Sequence, residues 1–158
     1  MDKNTFAQAV LEAEPTLYHV SKSILKNDFD CADAVQEAIL KAFSNLHTLK
    51  YERHFKTWLC RILINECYKI TRRVKRLISF DDYMESAEFP AGAADYGLYT
   101  AIMSLKEKLR LVVVLHYIDG FRTAEIADML DIPEGTVKSR LSKARSELKL
   151  MLNDEEDY

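Results

Sequence analysis

Glycine and proline are scarce in this chain of 158 residues, which contains four glycines and three prolines. Because turn-rich sheet proteins need both residue types at their turns, this scarcity favours helices over strands. No apolar run reaches the roughly 18 to 20 residues that a membrane span requires, and residues 1–4 lack the pattern of a signal peptide. We therefore expect a helical protein of the cytoplasm with no membrane insertion of its own.

Cysteine and histidine are also too few, and too irregularly placed, for common site chemistry. The three cysteines cannot all pair, and Cys60 and Cys67 are expected about 10 Å apart along one helix. The four histidines show no metal-ligand spacing with these cysteines. No carboxylate pair, and no nucleophile beside a base, forms a catalytic pattern. We predict no disulfide, no metal, no cofactor and no enzymatic activity.

Charge is unevenly distributed, although the formal net charge is only -3. Residues 51–78 contain eight basic residues and two acidic ones, whereas residues 79–99 contain five acidic residues and no lysine or arginine. The last residues, 153–158, are acidic again. Since local potential decides where a polyanion binds, the basic segment is a candidate nucleic-acid surface.

Hydrophobic periodicity predicts helices throughout a first domain, residues 1–77. A short helix is expected near residues 6–13, and a second helix is expected to begin at Pro15. Asp30 is the expected N-cap of a longer helix. The predicted apolar stripe of that helix is Val35, Ile39, Ala42, Phe43 and Leu46.

A further helix is expected to begin near Lys56, after a polar and aromatic loop at residues 47–55. Its predicted packed side contains Trp58, Leu59, Ile62, Leu63 and Ile70. Its opposite side contains Arg61, Asn65, Tyr68, Arg72 and Arg73. Trp58 is interpreted as a structural residue, while Phe55 suits either the core or a base contact.

A flexible acidic linker is predicted at residues 78–95, followed by a second helical domain at residues 96–152 and the acidic tail. Residues 109–118 form an apolar run that we interpret as a buried helix with Gly120 at its C-cap. The fold class is therefore all-α, with two small helical domains.

A helix-turn-helix is predicted between residues 121 and 145. Its first helix is expected to bury Ile126, Ala127 and Leu130, and Ile132 and Pro133 mark the turn. The second helix is expected to bury Val137, Leu141, Ala144 and Leu148. Its opposite face is short, polar and basic, as entry into a DNA major groove requires, and Gly135 leaves room for a phosphate at its N-terminus.

Motifs in both domains resemble bacterial sigma factors of the extracytoplasmic-function group. In the first domain the matching residues are 33–37, Asp-Ala-Val-Gln-Glu, and 58–67, which begin Trp-Leu-Cys-Arg, followed by Arg72 and Arg73. In the second domain they are Glu-Ile-Ala at 125–127, Ile-Pro at 132–133, and residues 135–141. The resemblance covers nearly the whole chain, with both domains in the expected order.

The resemblance implies that each domain reads one promoter element. The upstream, minus-thirty-five element would contact Thr136, Lys138, Ser139, Arg140, Ser142 and Lys143. The downstream, minus-ten element would be recognised and melted by Tyr51, His54, Phe55, Arg61, Asn65, Tyr68, Lys69, Arg72 and Arg73. Aromatic rings for unstacked bases and cations for the backbone are what an opened strand requires.

The resemblance also implies partners. Asp33, Gln36 and Glu37 would dock on core RNA polymerase, and an anti-sigma factor, often membrane-anchored, would mask these surfaces. We expect the acidic linker and tail to restrain DNA binding by the free protein, although an ordinary solvated linker fits equally well. A stand-alone helix-turn-helix regulator is the alternative, but it would not need the basic, aromatic helix of the first domain.

Overall fold

The computed structural model describes residues 1–77 and 96–156. The chain divides into two compact units, Met1–Glu88 and Phe89–Tyr158. Residues 1–77 and 96–156 form helices and turns without any strand, which confirms the predicted all-α fold. The predicted linker at 78–95 lies outside the described residues. No helix within the described ranges is long and apolar enough to span a membrane.

Three long helices build the first unit, and each of them contacts the other two. These are α1 (Lys3–Leu25), α2 (Asp28–Ser44) and α3 (Phe55–Leu77). Two 3₁₀ turns, Leu46–Thr48 and Glu52–His54, connect α2 to α3.

Helix α1 is continuous, so the predicted break at Pro15 is wrong. Phe6, Ala13, Leu17 and Val20 are all buried, and their spacing brings them onto one face only if the helix runs through the proline. Pro15 itself lies on the exposed face, where water can bond the carbonyl that the proline leaves free.

Helix α2 begins before the predicted N-cap. Asn27, not Asp30, is the capping residue, and its side chain accepts hydrogen bonds from the amides of Phe29 and Asp30. Asp30 lies in the first turn, where its negative charge still favours the positive end of the helix dipole.

The buried seam of α2 also differs from the predicted stripe. Its fully buried residues are small: Cys31, Ala34, Ala38 and Ala42. Val35, Ile39 and Leu46 are half-buried and Phe43 is exposed, so of the predicted stripe only Ala42 lies in the core. Small side chains let α2 approach α1 and α3 closely, because little volume separates the backbones.

The second unit contains four α-helices in its described part: α4 (Tyr96–Ser104), α5 (Glu107–Val113), α6 (Thr123–Leu130) and α7 (Glu134–Glu156). The predicted buried helix is α5, which continues into a π-helical turn, Val114–Ile118. Gly120 ends it with φ +75°, as the predicted cap requires. Buried Arg110 donates hydrogen bonds to the carbonyls of Met103 and Leu105, so these backbone acceptors at the end of α4 have partners.

Helices α6 and α7 form the predicted helix-turn-helix. The turn follows Asp131, a left-handed residue, and the Ile132 amide donates to the carbonyl of Ala127. Val137, Leu141 and Ala144 are buried as predicted, whereas Leu148 is half-buried. On α6 the buried residues are Ile126, Ala127 and Met129; Leu130, predicted in place of Met129, is half-buried.

Candidate nucleic-acid interfaces

A groove of about 510 Å³ lies between α2 and α3, and we call it the α2–α3 groove. Four residues that the sequence assigned to DNA line it together: Asn65, Tyr68, Lys69 and Arg72. The other lining residues are Lys41, Asn45, Thr48, Trp58, Ile62 and Glu66. Arg61 is exposed on α3 but is not among the lining residues.

The opposite wall of this groove, formed by the end of α2 and the turn that follows it, was not predicted from the sequence. Lys41, Asn45 and Thr48 follow one another at helical spacing, i, i+4 and i+7, and this signal was available without the structure. Trp58 was interpreted as structural, yet it is only half-buried and lines the groove. The groove therefore combines aromatic surface, amide groups and cations, which are the groups that hold single-stranded nucleic acid.

Phe55, which the resemblance assigned to DNA, lies in the core instead, with 5% of its surface exposed. Its ring makes an edge-on contact with Phe6, 5.7 Å between centroids, and a tilted one with Trp58 at 5.9 Å. Edge-to-face packing of this kind stabilises the junction of α1 and α3. Phe55 packs against Trp58 in the core, and of the two residues only Trp58 lines the groove.

The loop before α3 presents an exposed aromatic and cationic cluster. Tyr51 and His54, both predicted, have ring centroids 5.9 Å apart. The Arg53 guanidinium lies 4.9 Å from the centre of the Tyr51 ring, and its Nε donates to His54 Nε2 at 3.2 Å. Arg53, which the predicted site omitted, holds the two rings together through a cation–π contact and a hydrogen bond.

A second cavity, of about 420 Å³, contains the residues predicted to dock on polymerase, and we call it the docking cavity. Asp33, Gln36 and Glu37 line it from α2. Arg73, predicted to contact DNA, lines this cavity and not the α2–α3 groove. Burial raises the pKa of Asp30 and nearby Asp33 raises it further, while Arg73 opposes them.

Glu66 and Lys69 line both cavities, so they form the boundary between them. Lys41 Nζ lies 2.5 Å from Glu66 Oε1, and Lys69 Nζ lies 3.3 Å from the same oxygen. Burial alone would raise the pKa of Glu66, but the hydrogen bonds from the two lysines outweigh it and the pKa is lowered. Glu66 is therefore ionised at neutral pH.

The polar face of α7 presents most of the residues predicted for the upstream element. Lys138, Ser139, Ser142 and Lys143 are exposed, while Thr136 and Arg140 are half-buried at its margins. The Ser139 hydroxyl donates to the Gly135 carbonyl at 3.0 Å, within its own helix. This face of α7 has short side chains with cations on both sides, and such a surface fits the major groove of DNA.

Two hydrogen bonds to neighbouring elements hold this face in position. Glu134 accepts a hydrogen bond from the Thr123 hydroxyl at 2.8 Å and pairs with Lys138 at 3.6 Å, and the pKa of Glu134 is lowered, chiefly by the bond from Thr123. Arg145 Nη1 donates to the Tyr117 hydroxyl at 2.8 Å. Arg145, absent from the predicted site, extends the polar face along α7, and Tyr117, also absent from it, contacts Arg145 from the π-helical turn.

Comparison with known proteins gives matches in both units. The family model described as Sigma-70 region 2 matches residues 10–77, and the one described as Sigma-70, region 4 matches residues 97–148. The chain is 30% identical over 177 residues to the ECF RNA polymerase sigma factor SigW of Bacillus subtilis, covering 97% of this chain and 91% of SigW. It is 33% identical over 134 residues to the ECF RNA polymerase sigma-E factor of Escherichia coli K12, covering 73% of this chain and 70% of that protein.

Solved structures are similar over both units as well. The sigma factor RpoE of Bartonella quintana, crystallised with the anti-sigma factor NepR, has a TM-score of 0.81 and 26% identity, covering 94% of this chain and 97% of RpoE. CnrH, in complex with the cytosolic domain of CnrY, has a TM-score of 0.71 and 25% identity, covering 97% of this chain and 90% of CnrH.

Proposed function

Because the chain belongs to the sigma-70 family, in its extracytoplasmic-function group, we propose that its two units read the two elements of one promoter. The chain is a sigma factor that directs RNA polymerase to promoters and supports transcription initiation. One observation supports the assignment of a different promoter element to each unit: the region 2 match falls in the first unit and the region 4 match falls in the second. A stand-alone regulator is not favoured, because it would lack region 2.

The first unit binds the opened downstream element in the α2–α3 groove. Trp58 and Tyr68 offer ring surface to unstacked bases, and Asn65 offers an amide that can bond a base edge. The exposed cluster of Tyr51, Arg53 and His54 receives a base at the loop before α3.

The second unit binds the upstream element as a duplex. The N-terminal half of α7 enters the major groove, with Lys138 and Lys143 close to phosphates and Arg140 at the margin of the face. Thr136, Ser139 and Ser142 are short enough to approach base edges.

The partners follow from the same assignment. Asp33, Gln36 and Glu37 dock the first unit on core RNA polymerase. The polymerase makes the phosphodiester bonds, so the chain performs no chemical step of its own. We expect this assembly to act in the cytoplasm. RpoE was crystallised with the anti-sigma factor NepR, and the structure of CnrH is of its complex with the cytosolic domain of CnrY. We expect an anti-sigma partner for this chain too, and such a partner should block its assembly with core polymerase.

Reconstitution with core polymerase tests the proposal. The holoenzyme is used to select genomic DNA fragments, which are sequenced, and each selected promoter is transcribed in vitro with and without the chain. We expect a shared two-element sequence and initiation that depends on the chain. Absence of core polymerase binding, or of initiation at every selected fragment, would contradict the proposal.

Arg140 gives a residue-level prediction. Arg140→Ala should weaken holoenzyme binding to a selected promoter by about 1 to 3 kcal/mol if the guanidinium contacts a base or a phosphate. The control is Lys108→Ala, which removes an exposed cation of α5, and it should change affinity by less than the standard error. A loss below a few tenths of a kcal/mol for Arg140→Ala would place its side chain outside the interface.

A further inference from the structure

Lys41 is a groove cation that neither the charge pattern nor the family resemblance assigned to DNA. It lies near the C-terminal end of α2, whereas every predicted cation of this groove belongs to α3. Lys41 and Lys69 approach the same oxygen, Glu66 Oε1, from two different helices. Their side chains are 38% and 55% exposed, while the side chain of Glu66 is 9% exposed.

The arrangement holds two ammonium groups close together. Without a counter-charge they would repel each other, and their long side chains would turn towards water. The buried carboxylate between them removes most of that repulsion and fixes both nitrogen atoms at the groove. Each ammonium group has three donors, and one bond to Glu66 leaves others for a ligand.

We propose that Lys41 and Lys69 form a site for one phosphate of the opened promoter strand, and that Glu66 is the positioning residue that holds the two ammonium groups together. This inference rests on the proposed function, because it requires the downstream element to lie in the α2–α3 groove. Two lysines and one glutamate leave one net positive charge, which matches the single negative charge of a phosphodiester.

The surrounding residues favour a phosphate over a base at this point. The aromatic surface that stacks bases is supplied separately by Trp58 and Tyr68 of the same groove. An ammonium group is a compact charge without a flat face, and it suits a phosphate oxygen better than a base. The pKa of Lys41 is raised, chiefly by its hydrogen bond to Glu66, so its charge is present throughout the physiological range.

The test measures the salt dependence of DNA binding by the holoenzyme. The probe is a fork-junction DNA whose single-stranded non-template segment spans the downstream element of a selected promoter. Log affinity falls as log salt rises, and losing one phosphate contact on a single strand reduces the magnitude of that negative slope by about 0.7. We expect Lys41→Met, Lys69→Met and the double variant each to reduce the magnitude of the slope by that same amount, because both lysines share one phosphate.

Other outcomes would overturn the shared site. An unchanged slope for Lys41→Met would remove Lys41 from the interface, and a double variant that loses about 1.4 would assign the lysines to separate phosphates. Lys3→Met, an exposed lysine at the start of α1, is the matched control. A wild-type holoenzyme that does not bind the fork at all would contradict the proposed function, whereas normal binding with unaffected lysine variants would remove only this site.

Glu66→Gln separates positioning from simple charge. The variant adds one positive charge to the groove, so a purely electrostatic role predicts tighter binding of the fork. Positioning predicts weaker binding, by several-fold, because the ammonium groups are no longer held together. Tighter or unchanged binding would contradict the positioning role. Glu14→Gln, exposed on α1, is the control, and thermal unfolding verifies that each variant is folded at the assay temperature; the lysine variants test the site if Glu66→Gln does not fold.

Discussion

Two glycines of the second unit occupy different backbone conformations, and this difference separates a structural role from a functional one. Gly120 has φ +75°, where a side chain is strained whatever the space around it. Gly135 is helical, and a Cβ built on it would meet nothing within 4 Å. The backbone conformation therefore favours glycine at position 120, whereas the fold gives no reason for glycine at position 135.

Gly135→Ala should make the protein more stable and a poorer promoter binder. Glycine in a helix costs up to about 1 kcal/mol relative to alanine, so urea unfolding should show a gain of that order. The added methyl group would stand between the N-terminus of α7 and a phosphate, so affinity for the upstream element should fall. Gly120→Ala, as comparison, should lose about 1 to 2 kcal/mol of stability. Unchanged promoter affinity in Gly135→Ala would mean that no phosphate lies close to this residue.

The lowered pKa of Glu66 predicts a pH-dependent contribution to stability. A carboxylate whose pKa is lower in the folded protein than its ordinary 4.5 stabilises the fold above that pH, and the contribution is lost as the pH falls through the folded pKa. Glu66→Gln should lower the free energy of unfolding by about 1.5 to 3 kcal/mol at pH 7, since two charged hydrogen bonds are weakened. Unfolding followed by fluorescence of Trp58, the single tryptophan, should show this deficit shrinking below pH 4.5. A deficit that is constant from pH 7 to pH 3 would contradict it.

At the scale of helices, packing overrode local signals in α1 and α2. Pro15 is a strong local signal for a helix start, yet the apolar stripe on both sides of it is in register and is buried as one face. In α2 a stripe of larger apolar residues was expected inside, but the alanine seam is buried and Phe43, part of that stripe, is exposed. Three helices that all contact one another leave little room at their shared axis, so small residues are buried there.

Pro15→Ala should stabilise the first unit. The substitution restores an amide that can donate to the carbonyl four residues earlier, and alanine is the better helix former. Because that carbonyl already faces water, we expect a gain of about 1 to 2 kcal/mol, below the full ~3 kcal/mol of a proline in a helix interior. Urea unfolding followed by Trp58 fluorescence measures it, with Glu14→Ala on the preceding residue as the control. Loss of stability would mean that α1 needs the proline, as a true helix start would.

At the scale of the whole molecule, the two units have separate hydrophobic cores. Leu59 and Leu63 are fully buried in the first unit, and Leu111 and Leu115 are fully buried in the second. The predicted boundaries, with a linker at 78–95, are consistent with units that unfold independently, and this remains a prediction.

Truncating one core should affect only its own unit. Leu63→Ala should lower the free energy of unfolding of the first unit by about 2 to 5 kcal/mol, so the urea midpoint reported by Trp58 should fall. Leu115→Ala should leave that midpoint unchanged. Circular dichroism follows the helices of both units. In Leu115→Ala, the part of this signal that comes from the second unit should therefore be lost at a lower urea concentration. A Trp58 transition that shifts equally in both variants would show that the two units unfold as one.

The all-α fold, the packed face of the second helix of the helix-turn-helix and the basic side of α3 could all be predicted from the amino-acid sequence. These features depend on the 3.6-residue repeat, on scarce glycine and proline, and on charge along the chain, all of which are local. The burial of Val137, Leu141 and Ala144 was therefore predictable. So was the position of Asn65, Tyr68 and Arg72 on the polar side of α3.

Contacts between side chains that are distant in the sequence could not be predicted and depend on the tertiary structure. The sequence left the role of Phe55 open, and its burial follows from the position of Phe6 on α1. Lys41 and Glu66 are 25 positions apart, and no local pattern joins them. Their contact depends on how closely α2 approaches α3, which the alanine seam permits, and on the rotation of each helix about its axis. Contacts between helices are set by packing of the whole core, so they are fixed only when all three helices are in place.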